Sequence, residues 1–291
     1  MRADQLSELI STRVHRPGAV AEAAAARRRP DSLLGEHGKL MMIAADHPAR
    51  GALRAGDRPL AMGDRIDLLD RLCLALSRPG VNGVLGTPDV LEDLLLLGAL
   101  DGKVVVGSMN RGGLAGTTFE MDDKFTAYTA AAIGAAGFEG GKMLTRIDPD
   151  DAGTVLTLAA AGRAVSELAE HRLMAMVEPF ISHRVDGRVR NELTAEAMIR
   201  AMTVAAGLGT TSAYTWLKVP IVDDMEKVMA ATTLPALILG GEVASDQDAT
   251  FASWSKALAL PTVQGLVIGR SLLFPPNDDV AAAVDAAVGL L

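Results

Sequence analysis

The chain has 291 residues, of which 49% are hydrophobic and 3% aromatic, and its formal net charge is −8. This length suits one large α/β barrel or two average domains, with a core built from Ala, Val, Leu, Ile and Met. The negative charge argues against a nucleic-acid partner, whose phosphates require many basic residues, but leaves small anionic ligands open.

Short apolar runs alternate with longer helical patterns along most of the chain. Residues 1–30 are predicted to form an amphipathic helical extension, and residues 31–291 the main domain. The predicted strands are 40–45, 81–85, 104–108, 138–144, 173–177, 214–219, 236–239 and 263–268. The predicted helices between them are 65–77, 91–100, 124–136, 151–171, 195–207, 223–232 and 246–258.

Eight strands alternating with helices predict a single closed (β/α)8 barrel, the TIM-barrel fold. The alternative is an open doubly wound sheet, which usually carries a glycine-rich turn after its first strand. Here the first strand is followed by Asp46-His47-Pro48, which is no such motif. Two predicted loops are long, 109–123 and 181–194, and both follow strands at the end where barrels hold their active sites. Either loop could cover a substrate.

Lys218 lies in an unusual position for a lysine. It interrupts the apolar run Tyr214-Thr215-Trp216-Leu217-Lys218-Val219-Pro220, and an unpaired ammonium is costly to bury. Burial in an apolar site favours the neutral amine, which is a nucleophile toward carbonyls. Lys142, at the end of the fourth predicted strand, has the same character. Two such lysines indicate Schiff-base chemistry, although each could instead belong to a structural ion pair.

Carboxylates at two other strand ends complete the candidate catalytic site. Asp46 follows the first strand and Glu178 the fifth. If alternation along the strands turns Glu178 and Lys218 inward, Lys142 and Lys218 should meet across the mouth of the barrel. Glu178 and Asp46 could then act as general acids or bases, provided that their pKa values rise toward the operating pH. Alternatively, Glu178 is only an ion-pair partner and Asp46 a cap of the following turn.

Glycines at the ends of the last two strands form a second candidate site. Gly240-Gly241 end the seventh strand, and Gly269-Arg270 end the eighth. TIM barrels commonly bind phosphate at these two strands, because glycine lets backbone N–H groups approach the oxyanion and arginine adds a charged contact. The alternative is that these glycines only form tight turns.

A catalytic metal is the main rival chemistry. None of the five histidines has the spacing of a metal motif. His47, beside Asp46, and His183, after the fifth strand, could in principle join Glu178 at a divalent ion. We expect neither a metal nor another cofactor, and we assign His47 to substrate binding.

The order of these motifs resembles a known group of enzymes. Ala45-Asp46-His47, Gly141-Lys142-Met143-Leu144, Val177-Glu178-Pro179 and Leu217-Lys218-Val219-Pro220, followed by the two glycine turns, are similar to one superfamily of class I aldolases. It contains the deoxyribose-phosphate, tagatose-bisphosphate and archaeal-type fructose-bisphosphate aldolases, and the resemblance spans roughly residues 38 to 275. It implies that Lys218 forms the Schiff base, that Lys142 and Glu178 assist proton transfer, and that Asp46 contacts substrate hydroxyls. It also implies that the glycine turns bind phosphate. Archaeal-type members use a tyrosine that neither Tyr128 nor Tyr214 matches, so its proton transfers fall to Lys142 and Glu178.

Within this superfamily the chain most resembles an actinobacterial branch associated with myo-inositol breakdown. That resemblance implies cleavage of 5-dehydro-2-deoxy-gluconate 6-phosphate to dihydroxyacetone phosphate and malonate semialdehyde. Fructose- or tagatose-bisphosphate remain alternative substrates. A metal-dependent lyase or isomerase and a non-catalytic sugar-phosphate-binding barrel remain alternative functions.

The expected partner is thus a phosphorylated sugar or sugar acid. The single cysteine, Cys73, excludes an intramolecular disulfide and indicates a reducing compartment. No stretch of 18 apolar residues occurs, so we expect a cytoplasmic protein with no membrane contact. Helices rich in Ala and Leu, such as 281–291, lead us to expect a homo-oligomer.

Overall fold

The computed structural model describes residues 3–35, 37–243 and 246–291. Its centre is a closed barrel of eight parallel strands, which confirms the predicted TIM-barrel fold. The strands are hydrogen-bonded in the order β4-β3-β2-β1-β9-β8-β7-β5, and the pairing of β4 with β5 closes the barrel. In chain order, the strands are β1 (Leu40–Ala45), β2 (Gly83–Gly86), β3 (Val104–Ser108), β4 (Gly140–Ile147), β5 (Met174–Val185), β6 (Arg188–Asn191), β7 (Thr215–Val219), β8 (Ala236–Leu239) and β9 (Val263–Ile268).

The helices pack outside the barrel, and two of them precede it. They are α1 (Ala3–His15), α2 (Ala19–Ala26), α3 (Arg65–Ser77), α4 (Pro88–Leu96), α5 (Ala130–Ala135), α6 (Gly153–Glu170), α7 (Ala195–Ala206), α8 (Met225–Met229), α9 (Gln247–Leu258), α10 (Arg270–Leu273) and α11 (Val280–Val288). The predicted helix 124–136 shortens to α5, because the Thr129 side chain caps the helix there by accepting from Ala132 N.

Alternate side chains from the strands fill the barrel interior. This inner cluster contains Leu40, Met42, Ala44, Leu85, Val104, Val106, Met174, Met176, Leu237 and Val267, and Trp216 packs against it. Continuing the same alternation toward the carboxyl ends of the strands brings Ser108, Glu178 and Lys218 to the inward face. The predicted orientation of Glu178 and Lys218 is therefore confirmed, since they share their faces with Met176 and Trp216.

The segment 181–194, predicted as a loop, contains regular structure instead. Strand β5 continues to Val185 and pairs with β6 in an antiparallel hairpin. The turn residues Asp186 and Gly187 have φ values of 51° and 74°, as a two-residue hairpin turn of type I′ requires.

The long loop 109–123 lacks helices and strands but is anchored at several points. The Arg50 guanidinium donates to Asn110 O at 2.8 Å and to Gly113 O at 2.7 Å, and it pairs with Asp123. The Asn110 side chain bonds both backbone polar groups of Leu144 on β4. The loop thus has a fixed path on the barrel.

Segments near both termini pack against the barrel. Arg27, which follows α2, pairs with buried Glu139 at 2.8 Å. Helix α11 turns Val284 and Ala287 into the core, so the C-terminal helix does not offer the free apolar face on which we based the expected homo-oligomer. Homo-oligomerisation and the domain boundary at residue 30 stay predictions. Among the described residues, no helix is long and apolar enough to cross a membrane.

Candidate active site

Glu178 joins the two predicted lysines at the mouth of the barrel. Its Oε1 lies 2.5 Å from Lys218 Nζ, and its Oε2 pairs with Lys142 Nζ. All three residues are buried, with 8%, 4% and 2% of their surfaces exposed for Glu178, Lys218 and Lys142. The two lysines thus meet, as expected, by sharing the Glu178 carboxylate. Strands β4, β5 and β7 each contribute one of the three residues.

Asp46 extends this group on the β1 side. Its Oδ2 lies 3.0 Å from Lys142 Nζ and 3.0 Å from Arg111 Nη2, and it accepts from Ser108 Oγ at 3.3 Å. We call Asp46, Arg111, Lys142, Glu178 and Lys218 the charged cluster. Each member has less than a tenth of its surface exposed, so each charge is held mainly by the others.

The carboxylates of the charged cluster are ionised. Burial by itself raises the pKa of Glu178, but the ammoniums of Lys142 and Lys218 outweigh burial and hold that pKa far below its ordinary value. Burial likewise opposes the ionised form of Asp46, and Lys142 and Arg111 reverse the effect, so the pKa of Asp46 is well below normal. The condition set from the sequence, pKa values raised toward neutrality, is therefore wrong, because each carboxylate has two cationic partners. At neutral pH both can accept protons but have none to donate.

Lys142 is the cluster residue that titrates near neutral pH. Burial lowers its pKa to about 8, although Asp46 and Glu178 oppose the shift. Arg111 and Lys218 act in the same direction as burial. A group with this pKa can both donate and accept a proton near pH 7.

The predicted phosphate residues lie together at the carboxyl ends of β8 and β9. Arg270 Nη2 donates to Gly241 O at 3.4 Å, and a side chain at Gly269 would place its Cβ 2.5 Å from Ala44 O. The Nε atom of Arg270 and Nδ1 of His47 are buried and have no hydrogen-bond partner among the described residues. A Cβ at Gly240 would lie 3.0 Å from Ser271 Oγ, which is also buried and has no hydrogen-bond partner within the described part of the chain. This end of the barrel therefore holds buried polar atoms with unused hydrogen-bonding capacity, next to two glycines, Gly240 and Gly269, at which a side chain would clash.

The histidines do not assemble with Glu178 as a metal site. His47 lies with Nδ1 3.8 Å from Asp46 Oδ1, and burial lowers its pKa to about 3, so the ring is neutral at pH 7. His183 instead lies on the β5–β6 hairpin, 3.8 Å from Asp148 and 3.3 Å from Glu192. Within the described ranges, no group of three His, Cys, Asp or Glu residues could hold a metal ion.

The sequence reasoning missed Arg111 and Ser108. Both lie at or just beyond the carboxyl end of β3, where we predicted no site residue. The alternation of Ser108 with Val106 was a usable signal, since it places the hydroxyl inward. Arg111 had no such signal because it lies in the loop after β3. It also lines a cleft of about 560 Å³ beside the cluster, formed with residues such as Thr87 and Thr126.

Comparison with known proteins places the chain in a family. The profile of the Cgl0159-like family matches residues 38–288. The chain belongs to the Cgl0159-like family. Cgl0159 from Corynebacterium glutamicum has a crystal structure that is 53% identical to this chain, with a TM-score of 0.97 over 100% of this chain and 97% of that one.

More distant solved structures share the fold of this Cgl0159-like chain. A Schiff-base-forming fructose-1,6-bisphosphate aldolase is 17% identical, with a TM-score of 0.63 over 93% of this chain and 99% of that one. An archaeal fructose-1,6-bisphosphate aldolase, with its catalytic lysine bound to the carbinolamine intermediate, is 17% identical, with a TM-score of 0.63 over 93% and 98% of the two chains. At these identities the likeness concerns the fold. A search of the curated proteins found no match.

Proposed function

We propose that the protein is a class I aldolase, a lyase that cleaves a phosphorylated keto sugar or keto sugar acid through a Schiff base on Lys218. The observation that carries this proposal is the buried Lys142–Glu178–Lys218 arrangement at the barrel mouth. A lysine with a carboxylate at 2.5 Å has a group beside it that can pass protons from the amine nitrogen to the departing hydroxyl during imine formation. The shared fold with Schiff-base-forming aldolases and the order of the motifs support the same chemistry.

The proposed reaction assigns each step to a residue. The neutral Lys218 amine attacks the substrate carbonyl carbon. The hydroxyl of the resulting carbinolamine takes a proton from Lys142 and leaves as water, which gives a protonated imine beside the Glu178 carboxylate. A base takes the proton of the hydroxyl on the second carbon from the imine carbon, and this oxygen forms the C=O of the aldehyde. The bond between the first and the second carbon breaks, and its electron pair moves into the imine to form an enamine. The aldehyde leaves, the enamine carbon takes up a proton, and water hydrolyses the restored imine. We assign the proton transfers to Lys142 and Glu178, and contact with substrate hydroxyls to Asp46.

The candidate phosphate site would bind the phosphorylated end of such a substrate. Gly240, Gly241, Gly269 and Arg270 would hold the phosphate, and neutral His47 would donate a hydrogen bond to it. As substrate we propose 5-dehydro-2-deoxy-gluconate 6-phosphate, which the sequence resemblance implies and whose cleavage between C3 and C4 yields dihydroxyacetone phosphate and malonate semialdehyde.

Borohydride trapping tests the proposal. The protein is incubated with dihydroxyacetone phosphate, reduced, and read by intact and peptide mass spectrometry. We expect one adduct on Lys218, its absence in Lys218→Ala, and its slower formation in Lys142→Met. Turnover of the proposed substrate and of fructose 1,6-bisphosphate is then compared in a coupled assay.

Exposed Lys227 provides a matched control, because Lys227→Ala removes a lysine whose partner, Glu196, is also at the surface. This variant should retain both the adduct and the activity. Turnover by a folded Lys218→Ala protein would show the Schiff-base assignment to be wrong. Activity that a chelator abolishes would favour a metal-dependent lyase instead.

A further inference from the structure

We propose that Arg111 is a positioning residue that fixes the Asp46 carboxylate and, through its permanent charge, disfavours the protonated form of a lysine in the charged cluster. Arg111 has 6% of its surface exposed. Its backbone is held in place because Arg50 bonds the carbonyl groups of Asn110 and Gly113 on either side of it.

The contacts of Arg111 converge on Asp46. Its Nη1 donates to the Asp46 main-chain oxygen at 2.7 Å, while Nη2 lies 3.0 Å from the carboxylate Oδ2. Its Nε donates to Asn110 O at 2.7 Å. Two hydrogen bonds thus hold the planar guanidinium, and Nη2 contacts the carboxylate as an ion pair without hydrogen-bond alignment. This fixed charge restricts Asp46, so the carboxylate stays directed at Lys142.

The number of charges in the cluster explains why Arg111 should lower the pKa of a lysine. Arg111, Lys142 and Lys218 are three cations, and Asp46 and Glu178 are two anions, so full ionisation leaves one positive charge in excess. The excess is costly in a buried site. A lysine can release it more easily than an arginine, because the ordinary pKa values are 10.5 and 12.5. Arg111 therefore favours a neutral amine without itself losing charge.

Other charged or titratable groups reach this site from neighbouring elements. His47 follows β1 and is neutral at pH 7, and Arg270 follows β9 and lies 3.2 Å from exposed Glu242. The groups that face Lys142 are thus Asp46, His47, Arg111, Glu178 and Lys218, and of these Arg111 is the cation that cannot titrate.

A lysine titration tests this inference independently of catalysis. The chain has seven lysines, so ¹³C labelling of lysine gives a simple NMR spectrum, and Lys142→Met assigns the Lys142 signal. We expect its pKa near 8 in the wild type. In Arg111→Met it should rise toward the ordinary value, because a cation is lost and Asp46 pairs with Lys142 alone. Arg111→Lys should leave it near the wild-type value.

Arg111→Gln keeps a hydrogen-bonding group and serves if the methionine variant does not fold. A pKa of Lys142 that is the same in the wild type and in both neutral variants would overturn the inference. As a matched control, Arg27→Met removes a buried arginine with a carboxylate partner, Glu139, at the opposite end of the barrel. It should lower stability and leave the Lys142 titration unchanged.

The catalytic consequence rests on the proposed aldolase function. The pH profile of adduct formation should have a limb near pH 8 that moves upward in Arg111→Met. In Arg111→Lys the limb should stay while kcat/KM falls, because the contacts to Asp46 and Asn110 are lost. If no adduct forms in any protein, the aldolase proposal fails but the NMR titration still decides the role of Arg111. A limb that does not move in a folded, adduct-forming Arg111→Met protein would refute that role.

Discussion

Replacing Glu178 with Gln removes the charge that two buried ammoniums share. Lys142 keeps Asp46 at 3.0 Å, whereas Lys218 loses the partner at 2.5 Å. One uncompensated buried charge remains. Removing one member of a buried pair costs about 3–5 kcal/mol, which for a domain of this size lowers Tm by roughly 5–10 °C.

The stability lost in Glu178→Gln should depend on pH, and the titration of Lys142 determines the direction of that dependence. Its pKa is about 8 in the folded protein and 10.5 ordinarily, and removing Glu178 lowers the folded value further. Between the folded and the unfolded pKa, the unfolded state binds more protons, so stability rises with pH by up to about 1.4 kcal/mol per unit. This rise begins at lower pH in Glu178→Gln than in the wild type. The stability deficit of the variant should therefore shrink from pH 6 to pH 9.

Urea unfolding of both proteins at pH 6 and pH 9 measures this deficit. The matched control is Glu139→Gln, because Glu139 is equally buried and bridges Arg27 and Arg29. Arginine does not deprotonate in this range, so the control deficit should be the same at both pH values. An equal deficit at pH 6 and pH 9 for Glu178→Gln would refute the reasoning. The variant should still form the trapped imine, with slower proton transfer.

Three further perturbations have distinct expected outcomes. Lys142→Met should reduce the rise of wild-type stability between pH 8 and 10.5, leaving the part that comes from Lys39 and Lys103, whose pKa values burial also lowers. A rise of undiminished size in urea titrations would contradict this origin. Gly269→Ala places a Cβ 2.5 Å from Ala44 O, so calorimetry should detect weaker binding of inorganic phosphate; unchanged affinity would argue against the phosphate site. Arg50→Met removes the anchors of segment 109–123 and a buried ion pair, so limited proteolysis there should accelerate, and an unchanged cleavage rate would show that the anchors are dispensable.

The fold was predictable because strand and helix periodicities are local properties of the sequence. Four strands, among them β1 and β3, have the predicted bounds. The β5–β6 hairpin was missed although Asp186-Gly187 is a strong hairpin signal, because segment 181–194 was treated as the loop that follows a barrel strand.

The site was predictable where its residues lie on strands. Lys142, Glu178 and Lys218 follow from alternation and from the rule that barrel sites form at the carboxyl ends of strands. The protonation states were not predictable, since they depend on how many cations each carboxylate contacts. Arg111 comes from a loop whose path is set by distant Arg50, and no local pattern encodes such a contact.

The pairing of Arg27 with Glu139 has a consequence for how the chain can be shortened. A cut at the predicted domain boundary, residue 30, would remove both Arg27 and Arg29, whose side chains lie 2.8 and 3.1 Å from the Glu139 carboxylate. The carboxylate would keep its hydrogen bond from the backbone N–H of Val105 but would have no cationic partner among the described residues. The segment that follows α2 thus supplies the cationic partners of a buried carboxylate at the amino end of β4. A protein cut at residue 30 should lose stability as a protein with a mutated core does.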